Sequence, residues 1–243
     1  MAGHGDPFTP GELPRLQYVV RGIKRAPRVP SRPRLPLTSL LLRAIKMTWA
    51  PRAAEADTVM LWAACCMGFF GFMRAGEFTV KSAQEVDEET CLSARDVAVD
   101  SHANPSVIRV HLKQSKTDPF RHGVDIFLGR TEAALCPVAA ILAYCAIRPA
   151  TASPFFIFRD GTPLTREKLV AAVRNALSQL GISTAHYSGH SFRVGAATTA
   201  AHSGLSADTI KMLGRWESSA YERYVRTPRE SLAAISRQLS RGH

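Results

Sequence analysis

The sequence contains no hydrophobic run long enough to cross a lipid bilayer, which takes roughly 20 apolar residues. The longest apolar stretch, Val59–Met73, is interrupted by glycines and is typical of a buried helix. Residues 1–30 have no apolar core followed by a small-residue cleavage site. We therefore expect no membrane span, no signal peptide and no membrane attachment.

Cysteine is scarce, and its spacing matches neither a disulfide framework nor a metal site. The five cysteines form no Cys-x-x-Cys pair, which predicts reduced thiols in an intracellular protein. His186 and His190 lie four residues apart, but no acidic residue or cysteine stands nearby at metal-ligand spacing. The chain also lacks a carboxylate cluster and an evident cofactor loop. We therefore expect no bound metal and no cofactor.

Acidic residues are in deficit. The chain has 31 Lys and Arg residues against 20 Asp and Glu residues, which gives a formal net charge of +11. Such a balance favours a polyanionic partner, either nucleic acid or an anionic membrane surface. A hydrophobic content of 46% over 243 residues suffices for one sizeable core, or for one core with a partial second module.

Residues 1–35 differ in composition from the rest of the chain. They hold seven Lys and Arg residues against two acidic residues, and residues 25–36 are rich in proline. This pattern predicts an extended basic linker. Residues 13–25 predict one short helix with too little apolar surface for a domain. We interpret residues 1–35 as a linker with the last element of a module that is otherwise missing, and residues 36–243 as the main domain.

From Leu37 onward the pattern predicts a mainly helical domain with one small antiparallel β-sheet. Thr38 stands before helically spaced apolar residues and predicts an N-cap. Residues 106–118 and 123–129 alternate apolar and polar side chains around a loop, which predicts a hairpin, and residues 154–158 predict a further short strand. Besides the helix after Thr38, helices are predicted near residues 56–72, 137–147, 165–180, 190–203, 206–213, 218–226 and 229–239.

Two pairs of side chains are suited to an anionic ligand. His190 and Arg193 lie three residues apart, so on a helix both point to one face. Arginine makes bidentate contacts with phosphate oxygens and stays charged when partly buried. Arg74 ends the apolar run, where an arginine needs a partner, and Glu77 at position i+3 can supply one. Taken alone, the first pair is equally typical of a solvated helix start, and the second of a structural ion pair.

Three further side chains are suited to phosphate chemistry. Lys116, at the predicted hairpin turn, can donate a proton to a leaving oxygen or hold a phosphate. The indole N–H of Trp216 can donate to an oxyanion. The hydroxyl of Tyr224, once activated, can attack phosphorus and link the protein covalently to DNA. Each also has an ordinary interpretation, as a solvated loop lysine, a packed tryptophan and a tyrosine packed on an amphipathic helix.

In their order along the chain, these residues resemble the active-site set of the tyrosine recombinase (phage integrase) family. The resemblance covers about residues 36–240 and is carried by the strings "RAGE", "SKTD", "GHSFRVG" and "GRW" with a later tyrosine. The family's catalytic positions are matched by Arg74, Glu77, Lys116, His190, Arg193, Trp216 and Tyr224. The wording of residues 214–228 is most similar to the recombinases of DIRS-like and Crypton-like eukaryotic mobile elements.

The resemblance implies that a tyrosine hydroxyl attacks a DNA phosphodiester and gives a 3′-phosphotyrosine with a free 5′-hydroxyl, so that no ATP is needed. The two arginines, His190 and Trp216 would stabilise charge on the transition state, and Lys116 would be the general acid. His190 is alternatively a proton acceptor. The implied partner is double-stranded DNA, bound by a homo-oligomer (a synaptic tetramer). Residence in the nucleus follows from the substrate and the eukaryotic likeness.

The family order leaves two tyrosines as candidates for the nucleophile. Tyr187 precedes the His-x-x-Arg motif and is on the wrong side of it. Tyr224 lies eight residues after Trp216 and Tyr221 lies five after it, whereas the family interval is commonly one residue longer than eight. We therefore predict Tyr224 as the nucleophile and expect Tyr221 to pack.

The family normally pairs this catalytic domain with an N-terminal core-binding helical domain, and the two clamp the duplex. Residues 1–35 would supply only the last helix of that domain and the linker, so we expect a truncated chain. A competent DNA strand transferase is the favoured function because every catalytic position is occupied. The alternatives are a non-catalytic DNA-binding remnant, a type IB topoisomerase with the same chemistry, and a basic helical protein whose motif residues are structural.

Overall fold

The computed structural model describes residues 34–113, 123–151 and 153–216. The helix predicted at residues 13–25, the domain division after residue 35 and the helices predicted beyond residue 217 stay predictions. In the described part, six α-helices and one three-stranded sheet form a mainly helical domain, as the sequence predicts. No helix of this part is both long and apolar enough to span a membrane.

Two helices lead the chain to the candidate site. Helix α1 (Ser39–Trp49) begins at the predicted cap, where the Thr38 hydroxyl accepts a hydrogen bond from the Leu41 N–H at 3.4 Å. Helix α2 (Ala56–Phe70) confirms the predicted buried helix and has apolar side chains around most of its circumference, as expected in a core. It ends at Gly71.

The sheet is antiparallel, with the strand order β1 (Val97–Val99), β2 (Val107–Leu112) and β3 (Val124–Gly129). Strands β2 and β3 are the predicted hairpin, with Val107 opposite Gly129. Their inward side chains belong to the core and are Ile108, Val110, Leu112, Ile126 and Leu128. Strand β1 was not predicted, because three residues are too few to show a readable alternation.

The strand predicted at residues 154–158 is wrong. Within the described residues this segment forms only an isolated bridge, at Ile157. The apolar side chains that suggested a strand are core residues instead. The rings of Phe155 and Phe156 pack on Tyr144, whose hydroxyl donates to the Phe155 carbonyl at 3.0 Å.

The other predicted helices of this part are confirmed as α3 (Pro137–Cys145), α4 (Arg166–Gln179), α5 (Ser191–His202) and α6 (Ala207–Leu213). Helix α5 is buried around most of its circumference. Gly195 lets the backbone of Leu37 pass directly against it, because a Cβ there would overlap the Leu37 carbonyl. The Leu37 N–H also donates to the Ser191 carbonyl at 2.9 Å. These contacts fix the start of α5, where His190 and Arg193 lie.

Candidate active site

Arg74 and Glu77 lie in the turn that follows helix α2. Phe72 is in the left-handed conformation (φ 50°), which lets the chain reverse directly after the helix. Arg74 is extended, and the 3₁₀ turn Ala75–Glu77 follows it. The Glu77 carboxylate accepts hydrogen bonds from the Arg74 N–H at 2.9 Å and from Arg74 Nη1 at 3.0 Å. The ion pair expected from the i,i+3 spacing is therefore present.

Arg193 reaches the same carboxylate from helix α5. Its side chain is 4% exposed, and its Nη1 lies 3.5 Å from Glu77 Oε1. Its Nη2 donates to the Arg215 carbonyl oxygen at 3.4 Å. The start of α5 is held close because the Ala75 N–H donates to the Gly189 carbonyl at 2.9 Å. The structure thus brings both predicted arginines to one carboxylate.

Trp216 packs on Arg193. The guanidinium carbon of Arg193 lies 4.8 Å from the centre of the indole ring, within cation–π distance. Gly214 makes room for this arrangement, because a Cβ at that position would overlap the indole. The ring is half-buried against the core. The predicted tryptophan therefore belongs to the cluster, and it covers an arginine.

Arg215 is a third arginine of the cluster and was not among the predicted site residues. Its Nη2 donates to Glu77 Oε2 at 2.9 Å, and its side chain is 14% exposed. One signal in the sequence pointed to it. Arg215 stands nine residues before Tyr224, and nine residues is the interval that the family commonly has before its tyrosine. A basic residue at a helix C-terminus is also common because it interacts favourably with the helix dipole, so Arg215 did not stand out as a site residue.

The cluster is rich in positive charge. Within the described residues, three guanidinium groups surround the Glu77 carboxylate. At about 4 Å and an effective dielectric constant near 20, two unit charges interact by about 4 kcal/mol. Arginines hold phosphate oxygens through paired N–H groups. The arrangement is suited to a phosphate or another tetrahedral oxyanion.

His190 stands at the N-terminal end of helix α5. The pKa of its imidazole is lowered from 6.5 to about 4, first by burial and then by nearby positive charge. The Glu77 carboxylate acts in the opposite direction, and the positive charge comes from Arg34, Arg74 and Arg193. The imidazole is therefore neutral at pH 7. In that form it offers one ring nitrogen as a donor and the other as a proton acceptor.

A cleft of about 640 Å³ opens beside the cluster. Its lining is strongly basic, and the basic residues are Arg34, Arg74, Arg166, Arg174 and His190. Glu167 is the acidic residue among them. Arg174 is engaged, because its Nε and Nη2 donate to a backbone carbonyl at 2.9 Å and 2.6 Å. Within the described residues, the side chains of Arg34 and Arg166 have no hydrogen-bond or ion-pair partner, so their charge is available to a ligand.

Lys116 and Tyr224 lie outside the described residues, and so does Tyr221. Their roles stay predictions. Tyr187, which the family order set aside, is buried, and burial raises the pKa of its phenol. A raised pKa disfavours the phenolate, so this tyrosine is poorly suited to nucleophilic attack.

No protein-family model and no curated protein sequence matches the chain. Solved structures do match it. XerA recombinase matches with a TM-score of 0.58 and 14% identity, over 88% of this chain and 66% of that one. XerH site-specific recombinase, in a post-cleavage complex with palindromic difH substrate, matches with a TM-score of 0.60 and 13% identity, over 86% and 55%. A lambda integrase dimer bound to a COC′ core site matches with a TM-score of 0.56 and 16% identity, over 84% and 51%.

These structural neighbours are tyrosine recombinases, and the predicted fold class, the catalytic-domain type of that family, is confirmed. The chain spans between 51% and 66% of the length of these three chains. Identities this low show the fold alone.

Proposed function

We propose that this protein cleaves and rejoins DNA strands through a 3′-phosphotyrosyl intermediate, as a tyrosine recombinase. The observation that carries the proposal is the cluster of three arginines on the Glu77 carboxylate, close to the neutral His190, in this fold. A phosphodiester carries one negative charge, and the five-coordinate transition state of attack on phosphorus carries more. A cluster of guanidinium groups binds that transition state more strongly than the ground state, which lowers the barrier.

In the proposed reaction Tyr224 is the nucleophile and Lys116 the general acid. The phenol oxygen forms a bond to phosphorus while the bond between phosphorus and the 5′-oxygen breaks. Lys116 protonates the leaving 5′-oxygen, and the phenol proton passes to a base, a role for which the neutral His190 is suited. Rejoining reverses each step, so the adduct conserves the phosphodiester bond energy and no ATP is consumed.

Arg74 and Arg193 are proposed to donate to the non-bridging oxygens of the reacting phosphate. The loss of one such donor raises an activation barrier by about 3–4 kcal/mol in well-studied cases. Trp216 contributes by covering the Arg193 guanidinium, which limits the access of water to that group. Glu77 holds the arginines in place and does not contact the phosphate.

The test is capture of the covalent adduct on nicked "suicide" duplexes with a randomised central sequence, whose short 5′-hydroxyl fragment diffuses away after cleavage. We expect a protein–DNA adduct that survives denaturation and contains Tyr224, as identified by mass spectrometry. Tyr224→Phe should abolish the adduct because it removes the attacking hydroxyl, whereas Tyr221→Phe should retain it. The two variants are matched, since each removes one phenolic hydroxyl from nearby positions of the chain. An adduct retained in Tyr224→Phe and lost in Tyr221→Phe would move the nucleophile to Tyr221.

DNA binding without cleavage is the second candidate function. Arg34 and Arg166 favour it, because their charge is available to a phosphate backbone whether or not chemistry follows. This candidate predicts DNA binding that weakens steeply with salt and no adduct with any duplex. A type IB topoisomerase would instead relax a supercoiled plasmid without exchanging DNA partners, which gel electrophoresis of the products distinguishes.

We further propose that the protein acts as a homo-oligomer on double-stranded DNA, in the nucleus, for a eukaryotic mobile element. The support is the likeness of residues 214–228 to DIRS-like and Crypton-like recombinases and the basic tract at residues 23–34. A fluorescent protein fused to residues 1–35 should accumulate in nuclei, and the same fusion with its seven Lys and Arg residues replaced by Gln should not. An even distribution of both fusions would contradict nuclear targeting.

A further inference from the structure

The turn that ends helix α6 has an arginine where glycine is the usual residue. The Trp216 N–H donates to the Lys211 carbonyl at 3.1 Å, and the Arg215 N–H donates to the Met212 carbonyl at 3.0 Å. These are the two hydrogen bonds of a Schellman turn. Arg215 takes the left-handed backbone conformation of that turn, with φ 53°. A Cβ disfavours this conformation, whereas glycine adopts it freely.

The glycine of the turn, Gly214, stands one position earlier, and its role is to leave space for the ring of Trp216. Gly214 has φ −79°, a conformation open to any residue. Its lack of a Cβ is needed because that atom would overlap the ring of Trp216. The disfavoured conformation therefore falls on Arg215. Residues held in such conformations persist where their contacts enforce them, and they are frequent at functional sites.

The Arg215 side chain connects the end of helix α2 to the Glu77 carboxylate. Its Nη1 donates to the Gly71 carbonyl at 3.1 Å, and its Nη2 donates to the Phe72 carbonyl at 3.4 Å and to Glu77 Oε2 at 2.9 Å. These acceptors lie at the two ends of the segment 71–77, which carries Arg74. The planar guanidinium therefore fixes that segment at both ends.

The backbone of Arg215 also holds Arg193. The Arg193 Nη2 donates to the Arg215 carbonyl at 3.4 Å, while the adjacent Trp216 covers the Arg193 guanidinium. Arg215 thus contacts Glu77, which holds Arg74, and it accepts a hydrogen bond directly from Arg193. A residue that served only the turn would need neither contact.

We propose that Arg215 is a positioning residue of the anion site. It holds Glu77 and the segment 71–77 so that Arg74 and Arg193 present their guanidinium groups at a fixed separation to one tetrahedral oxyanion. In the proposed reaction that oxyanion is the scissile phosphate, and this part rests on the proposed function.

Arg215→Gly separates positioning from a role in the turn. Glycine suits φ 53°, so the turn should persist while the guanidinium is lost. Arg215→Lys keeps the positive charge and loses the planar fork. Arg43→Gln is the matched control, because it removes one exposed arginine from helix α1 and lowers the net charge equally.

The first measurement is the binding of tungstate, a tetrahedral oxyanion, by calorimetry of the full chain. Arg215→Gly should weaken binding about tenfold to 100-fold, as the loss of partners that support metal ligands does. Arg215→Lys should fall between that variant and the wild type, and Arg43→Gln should stay within about twofold of the wild type because exposed charges are screened. Wild-type affinity in Arg215→Gly, or no tungstate binding by the wild type, would overturn the proposal.

The second measurement is adduct formation in single turnover with the nicked duplexes. Arg215→Gly should lower the maximal rate constant with little change in the half-saturating DNA concentration, because the other phosphate contacts that bind the duplex are intact. A change in the half-saturating concentration alone would contradict positioning. If the wild type forms no adduct but the tungstate affinities differ as expected, the proposed function fails and the positioning role stands. If Arg215→Gly does not fold, Arg215→Lys against the wild type carries both comparisons.

Discussion

Replacing Glu77 by glutamine should destabilise the fold strongly, and an added oxyanion should restore part of the loss. Glutamine keeps the size of the side chain, but it removes the charge and exchanges one acceptor oxygen for a donor NH₂ group. Arg74 Nη1 at 3.0 Å and Arg215 Nη2 at 2.9 Å then face a group that cannot balance them, with Arg193 Nη1 at 3.5 Å. The cluster changes from one carboxylate among three guanidinium groups to none.

The expected magnitude follows from the burial of the cluster. The three arginine side chains are 22%, 4% and 14% exposed, and that of Glu77 is 8% exposed. Removing one partner of a buried ion pair costs about 3–5 kcal/mol. The partial exposure of Arg74 moves the expectation to the lower end, a loss of about 3 kcal/mol in the free energy of unfolding. For a domain of this size that corresponds to a fall of about 6–12 °C in the melting temperature.

The assay is urea unfolding at low salt, followed by tryptophan fluorescence, with and without sodium sulfate. Urea is the right denaturant because guanidinium chloride would screen the charges under test. Sulfate stabilises proteins generally, so the informative quantity is the extra stabilisation of Glu77→Gln over that of the wild type. That extra gain is expected because a sulfate ion can replace the lost counter-charge among the arginines.

The control is Glu55→Gln. Glu55 forms the same i,i+3 pair with Arg52, at 2.7 Å, but with side chains 50% and 67% exposed. Its removal should leave the unfolding midpoint unchanged within error, because exposed pairs contribute little. Glu77→Gln with wild-type stability, or with the same sulfate response as the wild type, would show that the carboxylate does not hold the arginine charges together, and the account of the site would be wrong.

Two further predictions concern the cleft and the imidazole. Arg34→Gln and Arg166→Gln should each reduce the slope of log affinity for DNA against log salt concentration by about one, as the loss of one phosphate contact does. Fluorescence anisotropy between about 50 and 200 mM salt measures that slope. An unchanged slope in both variants would contradict DNA binding in the cleft. Because the pKa of His190 is lowered from 6.5 to about 4, the unfolded chain takes up a proton there as the pH falls through 6.5 while the folded chain does not, so stability is lost between those two values. Between pH 7 and pH 5, the free energy of unfolding measured in urea should therefore fall less in His190→Gln than in the wild type. An equal fall in the wild type and the variant would refute the lowered pKa.

The features that the sequence predicted are those decided by near neighbours along the chain. Thr38 caps the helix that begins one residue later, and Arg74 pairs with a glutamate three positions on. Both are short-range relations with a recognisable spacing. The alternation of apolar residues in Val107–Leu112 similarly identified a strand with one buried face.

The features that escaped prediction depend on contacts between distant parts of the chain. The hydrogen bond from Arg215 to Glu77 spans 138 positions, and no local pattern marks it. The basic cleft brings Arg34, from one end of the described chain, beside Arg166 on helix α4. No local pattern marks the packing of the Trp216 ring on the Arg193 guanidinium either. Tertiary packing decides such roles, and the motif order alone does not contain it.

The Glu77 carboxylate explains how one site can combine close arginines with a strong attraction for anions. Three guanidinium groups this close repel one another, and the bridging Glu77 carboxylate lowers that repulsion. Equal numbers of carboxylates would hold the arginines but remove the attraction for phosphate. An anion that binds only the folded chain stabilises it, by about 2.7 kcal/mol at a hundred times its Kd. In the proposed reaction, the attraction of these guanidinium groups for the anion grows as negative charge develops on the reacting phosphorus, and this growth would lower the barrier to strand cleavage.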